Sequence, residues 1–175
     1  MRHTLASLAL TVFFALFPAR RSEAAGETNV ILFVVDDLGP FDLSCTGSEL
    51  YETPHIDTLA ENGILFNNAY VAHPRCVPSR FSLFSGSHCA REGVPGRSGE
   101  IPHSWTTLGE AFNAAGYRTY FAGKWHLGKV PNQWPAARGW DVNRGGGAAG
   151  APESYFYPYN TDPESDKDIE GLTNG

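Results

Sequence analysis

Residues Val30 to Val35 form an unbroken apolar run, Val-Ile-Leu-Phe-Val-Val, rich in β-branched side chains. A run with no polar face predicts a strand covered on both sides, as in the middle of a parallel sheet. Helix punctuation follows it. Thr53-Pro54 predicts an N-cap and a first helical residue, Ile56, Leu59 and Ala60 recur at helical spacing, and Gly63 closes the segment. Ile64 to Val71 is a second strand candidate, and residues 78–84 read as a helix that stops at Gly86. Thr107 and Glu110 have the spacing of a capping box ahead of Ala111, Phe112 and Ala115, with Gly116 as the terminal glycine. Tyr117 to Ala122, aromatic and Thr-containing, is a third strand candidate. Strand alternating with helix predicts an α/β layered fold with a mainly parallel sheet. From Lys129 onward, Gly145-Gly146-Gly147 and several prolines predict long loops. No Gly-Lys-Ser/Thr follows the glycines, so they are not a phosphate loop.

The chain has 175 residues, enough to bury one core, and at 42% apolar and 18% charged it is not of disordered composition. Its net charge of −6, without a basic cluster past the N-terminal region, gives no footprint for nucleic acid. Aromatic residues make up 13% of the chain, and Tyr and Trp crowd the second half, where core filling is the preferred reading over a carbohydrate-lining one. At the N-terminus, Arg2 and His3 precede an apolar run from Leu5 to Phe17, and Ser22-Glu23-Ala24 offers a small-x-small cleavage site. Residues 1–24 therefore read as a secretory signal peptide, with an uncleaved anchor as the alternative because Arg20-Arg21 comes late. Export directs the mature chain to the periplasm or the exterior. Of the three cysteines, none pairs at zinc or redox spacing. Export would permit a Cys45–Cys89 disulfide, but free buried thiols are the preferred reading.

Several residues stand where chemistry can be done. Asp36-Asp37 follows the first apolar run, and in open parallel sheets ligands bind beyond the carboxyl ends of strands. Adjacent carboxylates can hold a hard divalent cation, although such a pair alone is more often a solvated turn. Cys76-Val77-Pro78-Ser79-Arg80 runs on into Phe81-Ser82-Leu83-Phe84-Ser85-Gly86. Cys76 lies just before the expected helix, whose free N–H groups suit an anion; Pro78 fits its first turn, and Arg80 lies one turn in. Further on, Gly116-Tyr117-Arg118-Thr119 and Ala122-Gly123-Lys124-Trp125-His126 place a compact cation and a proton-transferring imidazole after a strand end. Taken singly, Arg80 could be a surface helix charge and Lys-x-His a surface decoration. His55, His73, His88 and His103 have no motif support.

Taken together, the two strings resemble the signatures of the sulfatase family of the alkaline phosphatase superfamily, and bacterial arylsulfatase-A-like members in particular. Gly139-Trp140-Asp141-Val142-Asn143 and Ser154-Tyr155-Phe156 add to the likeness, which covers Asn29 to about Asn160. The resemblance implies an α/β fold, a mixed and mainly parallel sheet flanked by helices, of which residues 25–175 would be the N-terminal part. It implies that a formylglycine-generating maturation enzyme oxidises Cys76 to formylglycine, whose hydrated gem-diol attacks sulfur. It also implies a calcium site, magnesium in some members, built from Asp36, Asp37 and the group derived from Cys76, with further ligands downstream. Arg80 and Lys124 would stabilise the charged diol, and His126 would contact it and help expel sulfate. The implied activity is sulfuric ester hydrolysis of a sulfated small molecule or carbohydrate. Phosphonate monoester or phosphodiester hydrolysis is the alternative within the superfamily, and an inactive fragment is the alternative outside enzymology.

Overall fold

The structure is a computed structural model describing residues 28–93, 99–152 and 154–155. The expected signal peptide lies outside the described residues. Two units separate, one ending at Gly39 and one beginning at Pro40.

In the first unit, Val30–Val35 is not the buried strand the sequence predicts. No ladder forms on it among the described residues, and its side chains are open to solvent, Ile31 at 78% and Phe33 at 82%. The physical reason is that an apolar β-branched run fixes a preference for extended backbone, whereas a strand exists only once a neighbour accepts its hydrogen bonds. Asp36 and Asp37 form an exposed turn after it, with Asp37 in the left-handed region (φ 54°).

In the second unit, α1 spans Pro54–Asn62 and ends at Gly63, as the punctuation predicts. Thr53 occupies the N-cap position, but its hydroxyl is engaged elsewhere: it donates to Asp57 Oδ1 at 2.9 Å and accepts from the Ser44 amide at 3.0 Å. Ile56 and Leu59 are exposed, and Ile64–Val71 forms no strand. Here too periodicity marks which residues share a face without supplying a surface for that face to cover.

The core lies further along. Helix α2, Cys76–Ser85, stops at Gly86, which takes the left-handed conformation (φ 68°) that glycine adopts freely. Its inward stripe is Val77, Arg80, Phe81 and Phe84, the i, i+3, i+4, i+7 pattern of a helix with one buried face. Helix α3, Leu108–Ala114, has the predicted capping box: Thr107 Oγ1 accepts from the Glu110 amide at 3.2 Å, and Glu110 Oε2 accepts from the Thr107 amide at 2.7 Å. Strand β1, Tyr120–Ala122, is the core of the third strand candidate, and it pairs in parallel with β2, Val142–Arg144. The register sets Tyr120 opposite Val142 and Ala122 opposite Arg144.

β2 corrects the expectation of loops alone after Lys129, as do two short 3-10 turns at Pro131–Gln133 and Pro135–Ala137. The pairing is what the sequence pattern could not show: β2 is three residues long, and its place is fixed by tertiary bonds around Asp141. That carboxylate accepts from the Thr119 amide at 2.8 Å and from Asn113 Nδ2 at 3.0 Å.

Aromatic side chains fill the space between α2 and the strands. Phe84 meets Trp125 at 4.8 Å between ring centroids, and Phe121 meets Trp125 and Trp140 at 5.4 Å, edge-on to both. Such contacts add about 0.5–1.5 kcal/mol each beyond area burial. Phe121, Trp125, Trp105, Trp134 and Trp140 thus serve the core, whereas Tyr120 and Tyr155 are exposed. All three cysteines are free thiols; Cys89 is buried, while Cys45 is only half-buried.

Candidate active site

Each candidate residue is positioned by an identifiable local device. Cys76 opens α2 after Arg75, which holds extended backbone (φ −95°, ψ 148°). The first-turn N–H groups of a helix have no intrahelical acceptor, and Pro78 brings no N–H to that turn. The thiol is half-buried. His73, just ahead of the helix, has a structural role. Its Nδ1 accepts from the Arg75 amide at 2.9 Å and so shapes the entry to α2.

Arg80 is not a surface charge. It is 6% exposed, lies on the inward stripe of α2, and its Nη1 donates to the Lys124 carbonyl at 2.5 Å. A hydrogen bond from a charged donor contributes about 1.5–3 kcal/mol. This one ties the helix that begins at Cys76 to the main chain of the second motif, 44 residues away in sequence.

Lys124 and His126 follow β1, as the sequence predicts. The parallel pairing continues past the strand itself, because the Gly123 amide donates to the Arg144 carbonyl at 2.8 Å and the His126 amide to the Gly147 carbonyl at 3.1 Å. Trp125 and Leu127 are both 1% exposed, so the main chain is anchored on either side of His126 while the imidazole is only half-buried. His126 adopts left-handed backbone (φ 59°), which costs a residue with a Cβ about 1–3 kcal/mol and is held only where the surroundings enforce it. Asp37 and His126 are the non-glycine residues with positive φ among those described, and both are candidates from the sequence.

An open cleft of about 570 Å³ is lined by His126 together with Gly99, Glu100, Gly128, Lys129, Val130, Gln133 and Ala148. Gln133 shapes one wall: its Oε1 accepts from the Lys129 amide at 2.7 Å, its Nε2 donates to Glu100, and its carbonyl accepts from Trp125 Nε1 at 3.0 Å. Cys76, Arg80 and Lys124 do not line this cleft.

The structure therefore joins Arg80 to Lys124 and carries His126 to a cleft wall. Asp36 and Asp37 belong to the other unit. By donor type they suit calcium or magnesium, being hard oxygen ligands. Among the described residues no group of three or more His, Cys, Asp or Glu side chains gathers as a metal cluster, so the pair by itself would be only part of a coordination shell.

Sequence reasoning missed the residues that back this arrangement. Arg138, 1% exposed, donates to the carbonyls of Ile101 at 2.5 Å, Trp105 at 2.9 Å and Pro102 at 3.3 Å, and to Glu110 Oε1 at 3.1 Å. It also missed that the glycine-rich segment after β2 runs beside His126. The signal available was the glycine run itself, which marks close backbone approach as readily as a loop.

The α/β scaffold sets a cysteine at a helix start and joins that helix through Arg80 to the Lys-x-His segment after β1, and comparison with known proteins gives the family. The profile described as Sulfatase matches residues 28–172, and the chain belongs to the sulfatase family. It is 36% identical over 152 residues to human N-acetylgalactosamine-6-sulfatase, covering 79% of this chain and 28% of that protein. It is 44% identical over 108 residues to N-acetylgalactosamine-6-O-sulfatase of Bacteroides thetaiotaomicron, covering 59% of this chain and 21% of that one. The crystal structure of Ps i-CgsB, also solved in complex with k-i-k-neocarrahexaose, superposes with a TM-score of 0.60 at 36% identity, covering 62% of this chain and 26% of that chain. The chain thus spans a little over a quarter of the length of the first of these relatives.

Proposed function

We propose that the chain is the part of a sulfuric ester hydrolase that carries the nucleophile, with Cys76 as the precursor of a formylglycine. The observation that carries this reading is the Arg80–Lys124 bond, which makes one unit of two motifs that resemble sulfatase signatures. Once formed, the aldehyde would supply, as its hydrate, an oxygen nucleophile that can shed sulfate without water attacking sulfur.

The chain's own residues set the conditions for that chemistry. The first turn of α2 offers amide N–H groups to an anion at residue 76. Arg80 fixes the Lys124 main chain, so that the Lys124 ammonium, a compact charge on a flexible stem, serves the sulfate from a defined origin. His126, held at the cleft wall, moves the proton whose loss lets the sulfated group collapse. Asp36 and Asp37 would hold a calcium or magnesium ion, which would withdraw charge from the transferring group.

The substrate class is a sulfated carbohydrate. The names of the relatives, with an N-acetylgalactosamine sulfate among them, and the neocarrahexaose complex of the structural neighbour support it. An exported enzyme would meet such polymers outside the cytoplasm.

The test is mass spectrometry of the peptide containing Cys76 after coexpression of the complete protein with a formylglycine-generating enzyme, paired with an aryl sulfate assay. Conversion of the thiol to aldehyde, with turnover that Cys76→Ala abolishes, is the expected result. A thiol that persists under conditions that mature a control sulfatase overturns the reading.

A further inference from the structure

We infer that the glycine-rich segment after β2 is a clamp for His126 and that Gly150 is a positioning residue for its imidazole. Two contacts carry this. The Gly147 carbonyl accepts from the His126 amide at 3.1 Å, helping to hold a left-handed backbone that is unfavourable for a residue with a Cβ. A Cβ placed on Gly150 would stand 2.5 Å from Cε1, 2.7 Å from Nε2 and 3.0 Å from Nδ1 of the same residue. Gly150 thus lies against the ring and leaves no space for a methyl group.

The two contacts act on different degrees of freedom. Trp125 and Leu127, both 1% exposed, and the Gly147 carbonyl fix where the His126 Cα sits. The absence of a side chain at Gly150 decides which way the ring lies. Glu100 and Lys129 are the charged residues that line the same cleft as His126. Only glycine at residue 150 gives the present orientation, because any larger residue must push the imidazole outward.

The glycines of this segment are not equivalent, which supplies the control. A Cβ on Gly147 would meet only the Trp134 ring, at 3.9 Å and beyond, an ordinary contact. Gly147→Ala keeps the carbonyl that holds His126 and should leave the imidazole where it is.

The inference rests on the reading of His126 as a site residue only for its consequence in turnover. Its structural part is tested directly by two-dimensional NMR of the chain. Gly150→Ala should move the Hε1 and Hδ2 resonances of His126, while Gly147→Ala should leave them in place. His126→Ala combined with Gly150→Ala should recover urea resistance lost in Gly150→Ala alone, because removing the ring makes room for the methyl group. Unmoved His126 resonances in Gly150→Ala, or a double variant no more resistant than the single one, overturns the clamp. In the complete enzyme, Gly150→Ala should lower kcat about a hundredfold with little change in KM, the scale of a misplaced reacting group. Moved resonances with unchanged kcat would leave the clamp standing and remove His126 from the reaction.

Discussion

Replacing Arg138 with methionine should be the most damaging conservative-volume change in the second unit. The side chain is 1% exposed and donates to three main-chain carbonyls and one carboxylate. Their costs differ. Ile101 is 2% exposed and Trp105 half-buried, so water cannot readily replace the guanidinium at their carbonyls. Each would lose about 1–3 kcal/mol. Pro102 is exposed and Glu110 keeps 31% of its side-chain surface in solvent, so both rehydrate at small cost. The sum is about 4 kcal/mol, within the range of about 3–5 kcal/mol for breaking a buried charge network by removing one partner. With a urea dependence of about 2 kcal/mol per molar, the midpoint of unfolding should fall by about 2 M. Arg138→Lys, which reaches fewer carbonyls from a single nitrogen, should lose about half as much. Circular dichroism across a urea series measures both. A midpoint for Arg138→Met within about 0.3 M of the parent would mean that the carbonyls of Ile101 and Trp105 find water unaided, and that the guanidinium holds nothing together.

Acid should weaken the same region through Glu110. Burial alone would raise its carboxyl, but the hydrogen bonds from Arg138 and the Thr107 amide outweigh that and hold it below the usual glutamate range. A carboxyl lower in the folded than in the unfolded chain stabilises above the unfolded value, and that stability is lost as pH falls through the folded one. Stability measured from neutral pH downward should therefore fall below about pH 4.3, the ordinary glutamate value, and Glu110→Gln should flatten that fall; an unchanged acid limb in the variant would refute it. Thr107→Ala should cost about 1 kcal/mol by removing the N-cap, read by the same urea series, and no loss would mean that the cap is idle. In the complete enzyme, Asp36→Ala with Asp37→Ala should strip bound calcium or magnesium by elemental analysis, and undiminished metal would remove the pair from the site. Lys124→Ala should lower turnover of an aryl sulfate about a hundredfold or more with little loss of stability, and near-parental turnover would make the second motif structural.

Where local chemistry decides the backbone, the sequence is readable. Thr107 and Glu110 cap α3 because the spacing brings each side chain to the other's amide, and Gly86 ends α2 because the chain needs a left-handed residue there. The two motifs are readable as strings, and family membership follows from them. What stays hidden depends on partners distant in sequence. β2 exists because Asp141 binds Thr119 and because β1 lies alongside, neither of which three residues of strand announce. Arg80 reads as a contributor of charge; its bond to the Lys124 carbonyl shows a fastening role that no single motif contains. Arg138 sits in a proline- and alanine-rich stretch that reads as loop, and only the folded chain reveals which carbonyls converge on it. Val30–Val35 misleads for the opposite reason, since its composition states what it could pair with and not whether the pairing occurs.

That open segment bears on how the chain behaves at high concentration. Val30–Val35 combines β-branched and aromatic side chains, carries no charge or proline, and presents Ile31 and Phe33 almost fully to water. Six residues of this kind, which form no ladder among the described residues, are a template for strand addition by another copy. Self-association would then compete with folding by mass action, and apparent stability would come to depend on protein concentration. A charged residue in place of Phe33 would act as a gatekeeper, raising the concentration at which the chain stays dispersed without touching any residue of the core.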